Sequence, residues 1–160
     1  MIIIVDGYNL LKKVIGTDRI TEMERSAFVN LLGRYSAKKG HKVVVVFDAG
    51  PCTMPLREKQ RGVTVIFSGE YQSADDLIVS YVKEHETKEL LVVTADRGII
   101  NQVEHGDVEV INPEIFYRKI KATFAKSSEA IKRDLGLLVK TSEEGDVVVD
   151  QLMYEAAQME

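Results

Sequence analysis

Four short runs of apolar, largely β-branched residues dominate the first hundred positions: Ile2 to Val5, Val43 to Phe47, Val63 to Phe67 and Leu90 to Val93. None alternates with polar residues, so each must be buried on both faces, as strands are in a parallel sheet covered by helices on either side. A shorter run, Val108 to Ile111, is expected to add a fifth strand.

The stretches between these runs read as helices. Thr21 and Glu24 have the spacing of a capping box, and Met23, Ala27, Phe28, Leu31, Leu32 and Tyr35 then recur at helical intervals until Gly40. Ser73 with Asp76 gives a second cap before Leu77, Ile78, Tyr81 and Val82. Asn112-Pro113 opens a third helix through about Phe124, and a fourth spans Ser127 to about Leu137. The order β-α-β-β-α-β-α-β-α predicts an α/β fold with right-handed crossovers between parallel neighbours.

The 160 residues, 45% hydrophobic, suffice for one continuous core. The polar break TSEEGD (Thr141 to Asp146) divides an expected domain, 1–140, from an acidic C-terminal segment, 141–160. In that segment Val147 to Val149 and Asp150 to Gln158 form either a strand and helix docked on the body or a partly mobile tail. No apolar stretch reaches the roughly 18 residues of a membrane span, so a soluble, cytoplasmic protein with no membrane partner is expected. Cys52 is the only cysteine, which excludes an internal disulfide and a cysteine zinc cage. His41, His85 and His105 show no ligand spacing.

A net charge of −4 argues against a polyanionic partner only until it is divided along the chain. From residue 134 onward seven acids (Asp134, Glu143, Glu144, Asp146, Asp150, Glu155, Glu160) face one base, Lys140, whereas residues 1–133 hold 20 bases and 18 acids. The body of the chain is therefore slightly basic, and more so outside any acidic site.

Acids fall where such a sheet would use them. Asp6 interrupts an apolar run and closes the first strand, Asp48 closes the second, Asp96 follows the Leu90 strand, and Asp75 and Asp76 open the helix after the third. In an open parallel sheet the carboxyl ends of the strands share one edge, where ligands bind. Converged carboxylates repel, and a hard divalent cation, Mg²⁺ or Mn²⁺, relieves that repulsion through oxygen ligands, water and substrate phosphate. Such an ion activates water and neutralises a leaving oxygen without a histidine or cysteine nucleophile. Each acid also has a structural alternative. Asp48 can punctuate a turn, Asp76 can complete the Ser73 cap, and Asp96 can serve as a turn residue or N-cap. Asp75 does not fit the same cap geometry, and Asp6 has the weakest structural explanation.

The set DGYN (Asp6 to Asn9), VVFDA (Val45 to Ala49), SADD followed by Leu-Ile (Ser73 to Ile78) and VVTAD (Val92 to Asp96), in this order, resembles the NYN branch of the PIN-like nucleases and, within it, the YacP-like proteins. The likeness covers about residues 1 to 135. It implies a three-layer PIN-like/NYN fold and a small metal-dependent endoribonuclease. By this resemblance Asp6, Asp75 and Asp96 would hold the metal and Asp48 would contribute; Asp76, from its position at the start of the same helix, is a further candidate ligand. The resemblance further implies cleavage of single-stranded RNA or mRNA, in connection with the ribosome, leaving 5′-phosphate and 3′-hydroxyl ends. Thr94-Ala95-Asp96 departs from the Thr-Ser-Asp expected of the family and loses one hydroxyl near the site.

Cations supply most of a nucleic-acid binder's affinity. Arg57, Lys59 and Arg61 follow the Asp48 turn and are expected to overhang the pocket as a loop, and Arg97 adjoins Asp96. A second group (Arg118, Lys119, Lys121, Lys126, Lys132 and Arg133) reads either as a solvated helix face or as an RNA contact. Tyr8 and Tyr71 are candidates for stacking on unpaired bases, Tyr8 equally for the core. Asn9, one turn after Asp6, is placed to orient a carboxylate or donate to the scissile phosphate. The competing functional reading is a non-catalytic RNA- or ribosome-binding module that keeps a metal-stabilised acidic pocket. A haloacid-dehalogenase phosphohydrolase needs an aspartate where Tyr8 stands, and a phosphorylated receiver domain does not account for the four motifs together.

Overall fold

A computed structural model describes residues 1–50, 53–86, 88–125 and 129–138. The elements in chain order are β1 (Ile2–Asp6), α1 (Gly7–Ile15), α2 (Glu22–Lys39), β2 (Lys42–Phe47), β3 (Leu56–Gln60), β4 (Val63–Phe67), α3 (Ala74–Glu84), β5 (Leu90–Val93), α4 (Arg97–Val103), β6 (Val108–Ile111), α5 (Pro113–Thr123) and α6 (Glu129–Leu137). All five expected strands are present and pair in parallel, in a six-stranded sheet of order β3-β4-β2-β1-β5-β6. The chain winds outward from β1 in both directions, so the strand order reverses at β1. That reversal places the ligand crevice of such sheets beside the end of β1.

Alternate side chains of each strand feed two cores. Ile3, Val5, Val43, Val45 and Phe47 pack with α1, α2 and α5, whereas Ile4, Val44, Val46, Leu90 and Val92 pack with α3 and α4. Helices therefore cover both faces, as the unbroken apolar runs require. The capping box at Thr21 forms both of its hydrogen bonds, and Gly40 ends α2 at φ +71° in the left-handed conformation. Ser73 caps α3, and Asn112 with Pro113 starts α5.

Two elements, α1 and β3, lie outside the sequence expectations, and a third, α4, fills the place between the Leu90 and Val108 strands where the predicted order has a helix with no span assigned. Helix α1 follows β1 with no intervening loop, burying Leu10, Leu11, Val14 and Ile15. Helix α4 has only seven residues and a single buried pair, Ile99 and Val103. Strand β3 runs antiparallel to β4 at the sheet edge, through a two-residue turn in which Arg61 and Gly62 both have positive φ. That geometry matches the right-handed twist of hairpin strands. The segment LREKQ carries no apolar period because β3 is an exposed edge, where charges discourage further strand pairing. The proposed linker at 141–146 and the elements expected after it lie outside the described residues. Among the described residues no helix is long and apolar enough to cross a membrane.

Candidate active site

The first strand ends at a residue with two structural duties. Asp6 is the last residue of β1 and the N-cap of α1, yet its carboxylate makes no capping hydrogen bond. An N-cap aspartate ordinarily accepts from the second or third helical amide. Here the side chain accepts instead from the buried Thr94 hydroxyl of the strand end next door, Oγ1 to Oδ2 3.3 Å. Gly7 makes the abrupt strand-to-helix junction possible, since a Cβ there would lie 2.5 Å from the Phe47 ring. The glycine of DGYN is thus required by close packing.

Register places the remaining acids. Val5 is level with Val93, which sets Asp6 beside Thr94, and Asp6 is level with Val46, two residues short of Asp48. With strands about 4.8 Å apart and a rise of about 3.3 Å per residue, the Cα atoms of Asp6 and Asp48 stand about 8 Å apart at the same sheet edge. Asp48 Oδ1 accepts from the Ser68 hydroxyl (3.1 Å) and from the amide of Ala74 (3.2 Å), tying the end of β2 to the start of α3. Ser68, fully buried, also accepts from the Ala49 amide at 2.8 Å. Asp75, the next residue of α3, is carried toward Asp6 by that tie. Asp96 caps α4 through the Ile99 amide, and its own amide donates to Thr94 Oγ1 at 3.1 Å. Thr94 therefore joins Asp96 to Asp6. The hydroxyl bridge resides in this threonine, so Ala95 does not break it.

The electrostatics report convergence. Asp6 is raised from 3.8 to about 6, first by burial and then by the charges of Asp75, Asp96 and Asp48, with the Thr94 hydrogen bond opposing. Asp75 is raised as well, by partial burial and by Asp96, Asp48 and Asp76. The structure thus gathers Asp6, Asp48, Asp75, Asp76 and Asp96 into one field. For Asp76, the Ser73 hydroxyl accepts from its amide at 3.1 Å, so the residue takes part in the α3 cap through its backbone.

These groups form an all-oxygen donor set, and Asn9 adds an amide Oδ1 that is buried without a hydrogen-bond partner in the first turn of α1. Among the described residues no three acidic, histidine or cysteine side chains close around a cation by themselves. A Mg²⁺-type ion asks for less, since one or two carboxylates with water and substrate phosphate complete its shell. The residues fit a hard divalent ion bound in that open manner.

The cations are distributed more widely than the sequence suggests. Arg97 lies in the first turn of α4 and is exposed beside Asp96. Arg57 and Lys59 sit on β3, paired with Ile66 and Thr64, and form an edge strand where an overhanging loop was expected. Arg61 occupies the turn at the far end of β4, about 13 Å along the strand from Phe67. Its carbonyl packs against Gly33 of α2, and its charge acts on Asp134 of α6. Arg61 is therefore not brought to the acidic edge. Arg118 and Lys121 lie on α5, against the α1 and α2 side, with Lys121 Nζ 5.0 Å from the Tyr117 ring centre. Lys126 lies outside the described residues.

Tyr8 packs on Phe47 at 4.8 Å between ring centres, whereas Tyr71 is 79% exposed, two residues before the α3 cap. Three residues escape sequence reasoning: Thr94 and Ser68, whose hydroxyls orient the acids, and Arg25, which spans the Tyr8 hydroxyl (3.4 Å) and the Phe67 ring. Thr94 and Ser68 could have been sought as hydroxyls at strand ends beside an acid. Arg25 had no sequence signal beyond its charge.

A model of the YacP-like NYN domain matches residues 3–153. The chain belongs to the YacP-like NYN domain family. Two crystal structures of Rae1 (YacP) from Bacillus subtilis share the fold. The wild-type structure has 21% identity over 99% of this chain and 92% of its own, TM-score 0.61. The W164L mutant has 20% identity over 94% and 98%, also with TM-score 0.61. No curated protein matches the sequence. Membership places this NYN domain in the PIN-like nuclease superfamily, whose chemistry is nuclease-like and RNA-related and generally depends on a divalent metal.

Proposed function

We propose that the protein is a Mg²⁺- or Mn²⁺-dependent endoribonuclease that cuts single-stranded RNA, including mRNA presented on the ribosome. The observation that carries this reading is Asp6: an N-cap aspartate that does not cap, at the switch point, raised by its burial and then by three other carboxylates. A fold gains nothing in stability from such a cluster, because each added charge costs free energy when desolvated among its like.

Asp6, Asp75 and Asp96 would hold the ion, with Asp48 completing the set. When bound, the ion neutralises phosphate charge and supplies activated water for in-line attack. The protein's own residues do the positioning. Thr94 holds the Asp6 carboxylate and the Asp96 backbone amide, the Ile99 amide holds the Asp96 carboxylate, and Ser68 fixes Asp48 against the start of α3. The amino termini of α1, α3 and α4 face the same edge, and their dipoles favour a phosphate beside the acids once the acids are neutralised. Asn9 donates its amide to a non-bridging phosphate oxygen, Arg97 contacts a neighbouring phosphate, and exposed Tyr71 offers a stacking face to an unpaired base.

The test is incubation of the protein and its Asp75→Asn variant with 5′-labelled single-stranded RNA, and separately with translating ribosomes, in Mn²⁺, Mg²⁺ or EDTA. Metal-dependent cuts absent in the variant are expected. Cleavage by Asp75→Asn at the wild-type rate would refute the assignment, and tight RNA binding with no cut on either substrate would favour a docking module.

A further inference from the structure

A groove lies beside the acidic edge, between α3 and the edge hairpin. Its volume is about 200 Å³, and Ile66, Leu77 and Tyr81, all from the core on the α3 side, supply its apolar lining, while Leu56, whose side chain packs in the opposite core, borders it from β3. Arg57 stands on one wall and Ser80 and Glu84 on the other. Asp76, Ser80 and Glu84 succeed one another at four-residue intervals along α3, so the groove continues in line from the acidic site down the helix. The space is smaller than the 300 to 1,000 Å³ typical of drug-sized ligands and suits one planar ring system.

The walls are chemically opposed but not joined. Arg57 and Glu84 both line the groove, and the Tyr81 hydroxyl feels both charges, in opposite directions. Yet among the described residues the ion pairs are Arg25–Glu22 and Lys132–Glu129, and Arg57 and Glu84 do not meet. Arg57 is held over the Tyr81 ring, 6.0 Å from its centre, and Tyr81 is backed by His85 stacked at 4.0 Å. The lining of the groove thus holds a guanidinium and a carboxylate that do not pair with each other, with the polar edge of a flat ligand as the missing partner.

We propose that this groove is a nucleobase subsite that takes a single unstacked guanine of the RNA strand. The inference rests on the RNA-directed reading above and gives the acidic site a sequence preference. Guanine offers O6 and N7 as acceptors for a guanidinium, the commonest base-specific arginine contact, and N1–H and the N2 amino group as donors for a carboxylate. Uracil lacks the N7 acceptor and the amino donor, and adenine presents an amino group to the arginine. The ring lies on Ile66 and Leu77, and the phosphate on its acidic-edge side is directed toward the end of the groove at Asp76 and the acidic cluster.

The experiment is a titration of the full chain in EDTA with the 5′-monophosphates of guanosine, adenosine, cytidine and uridine, followed through the backbone amide resonances of Leu77, Ser80 and Glu84. Guanosine monophosphate is expected to shift these resonances and to bind about tenfold more tightly than the uridine nucleotide. Arg57→Ala and Glu84→Gln each lower that affinity about tenfold, and Ser80→Phe blocks it by filling the groove while leaving both charges in place. All three positions are exposed, so the core is untouched. Shifts that map elsewhere, equal binding of the four nucleotides, or no response to the variants overturn the proposal. With no metal and no scissile strand present, the titration reads the groove alone. A chain that binds guanine but cuts no RNA keeps the subsite and loses the nuclease, and a nuclease with an inert groove gives the converse.

Discussion

Replacing Asp6 with asparagine removes a charge that the fold holds at a cost. In the metal-free protein Asp6 titrates at about 6, against 3.8 when unhindered. An acid raised in the folded state stabilises that state when protonated. The contribution is fully present below pH 3.8 and is lost as pH rises through about 6. At about 1.36 kcal/mol per unit, the loss amounts to about 3 kcal/mol by pH 8. Asparagine keeps the shape and an oxygen to accept from Thr94, and it has no charge to desolvate. Asp6→Asn is therefore expected to be about 3 kcal/mol more stable than the wild type at pH 8 in EDTA, and about equal at pH 4. For a domain of this size that corresponds to a rise in Tm of about 6 to 12 °C. Urea unfolding of both proteins at the two pH values, in EDTA and then in Mg²⁺, measures it. Added metal should narrow the gap at pH 8 by stabilising only the wild type. A variant no more stable than the wild type at pH 8 in EDTA would refute the reasoning, because Asp6 would then not be a strained charge.

Other outcomes follow from the same geometry. Thr94→Val removes the hydroxyl between Asp6 and Asp96 and should cost about 1 to 3 kcal/mol in chemical denaturation while weakening any RNA cleavage. Gly7→Ala drives a methyl to 2.5 Å from the Phe47 ring and is expected to destabilise by about 1 to 3 kcal/mol, with loss of activity as Asp6 is displaced. Wild-type activity and stability in that variant would mean that α1 does not need its close approach. In filter binding of single-stranded RNA by the Asp75→Asn protein, Arg97→Ala should lower the slope of log affinity against log salt by about 0.7. Arg61→Ala should leave that slope unchanged, since Arg61 sits at the opposite end of β4.

How much was legible in the chain depended on how local the signal was. The strands β1, β2, β4, β5 and β6 declared themselves because burial on both faces leaves an unbroken apolar run. The cap at Thr21 was equally readable, since its two partners are three residues apart. Asp6, Asp48, Asp75 and Asp96 could be suspected of sharing an edge because each follows a strand unit. Strand β3 was hidden, since an exposed charged edge has no apolar period, α1 was hidden by shortness and by the absence of a loop before it, and α4, with only seven residues, had a place in the order but no readable span.

The sequence by itself thus determined the parallel sheet, the helix caps and the presence of acids at strand ends, all products of short-range periodicity and spacing. Only the tertiary structure decided which acids meet and how they are held. Strand order put β1 at the reversal point, register set Asp6 beside Thr94, and the hairpin carried Arg61 away from the acids while leaving Arg57 across a groove from Glu84. Those relations join residues as far as 88 positions apart. They are fixed by which faces bury together and in what register, a property of the packed whole that no local window of residues contains.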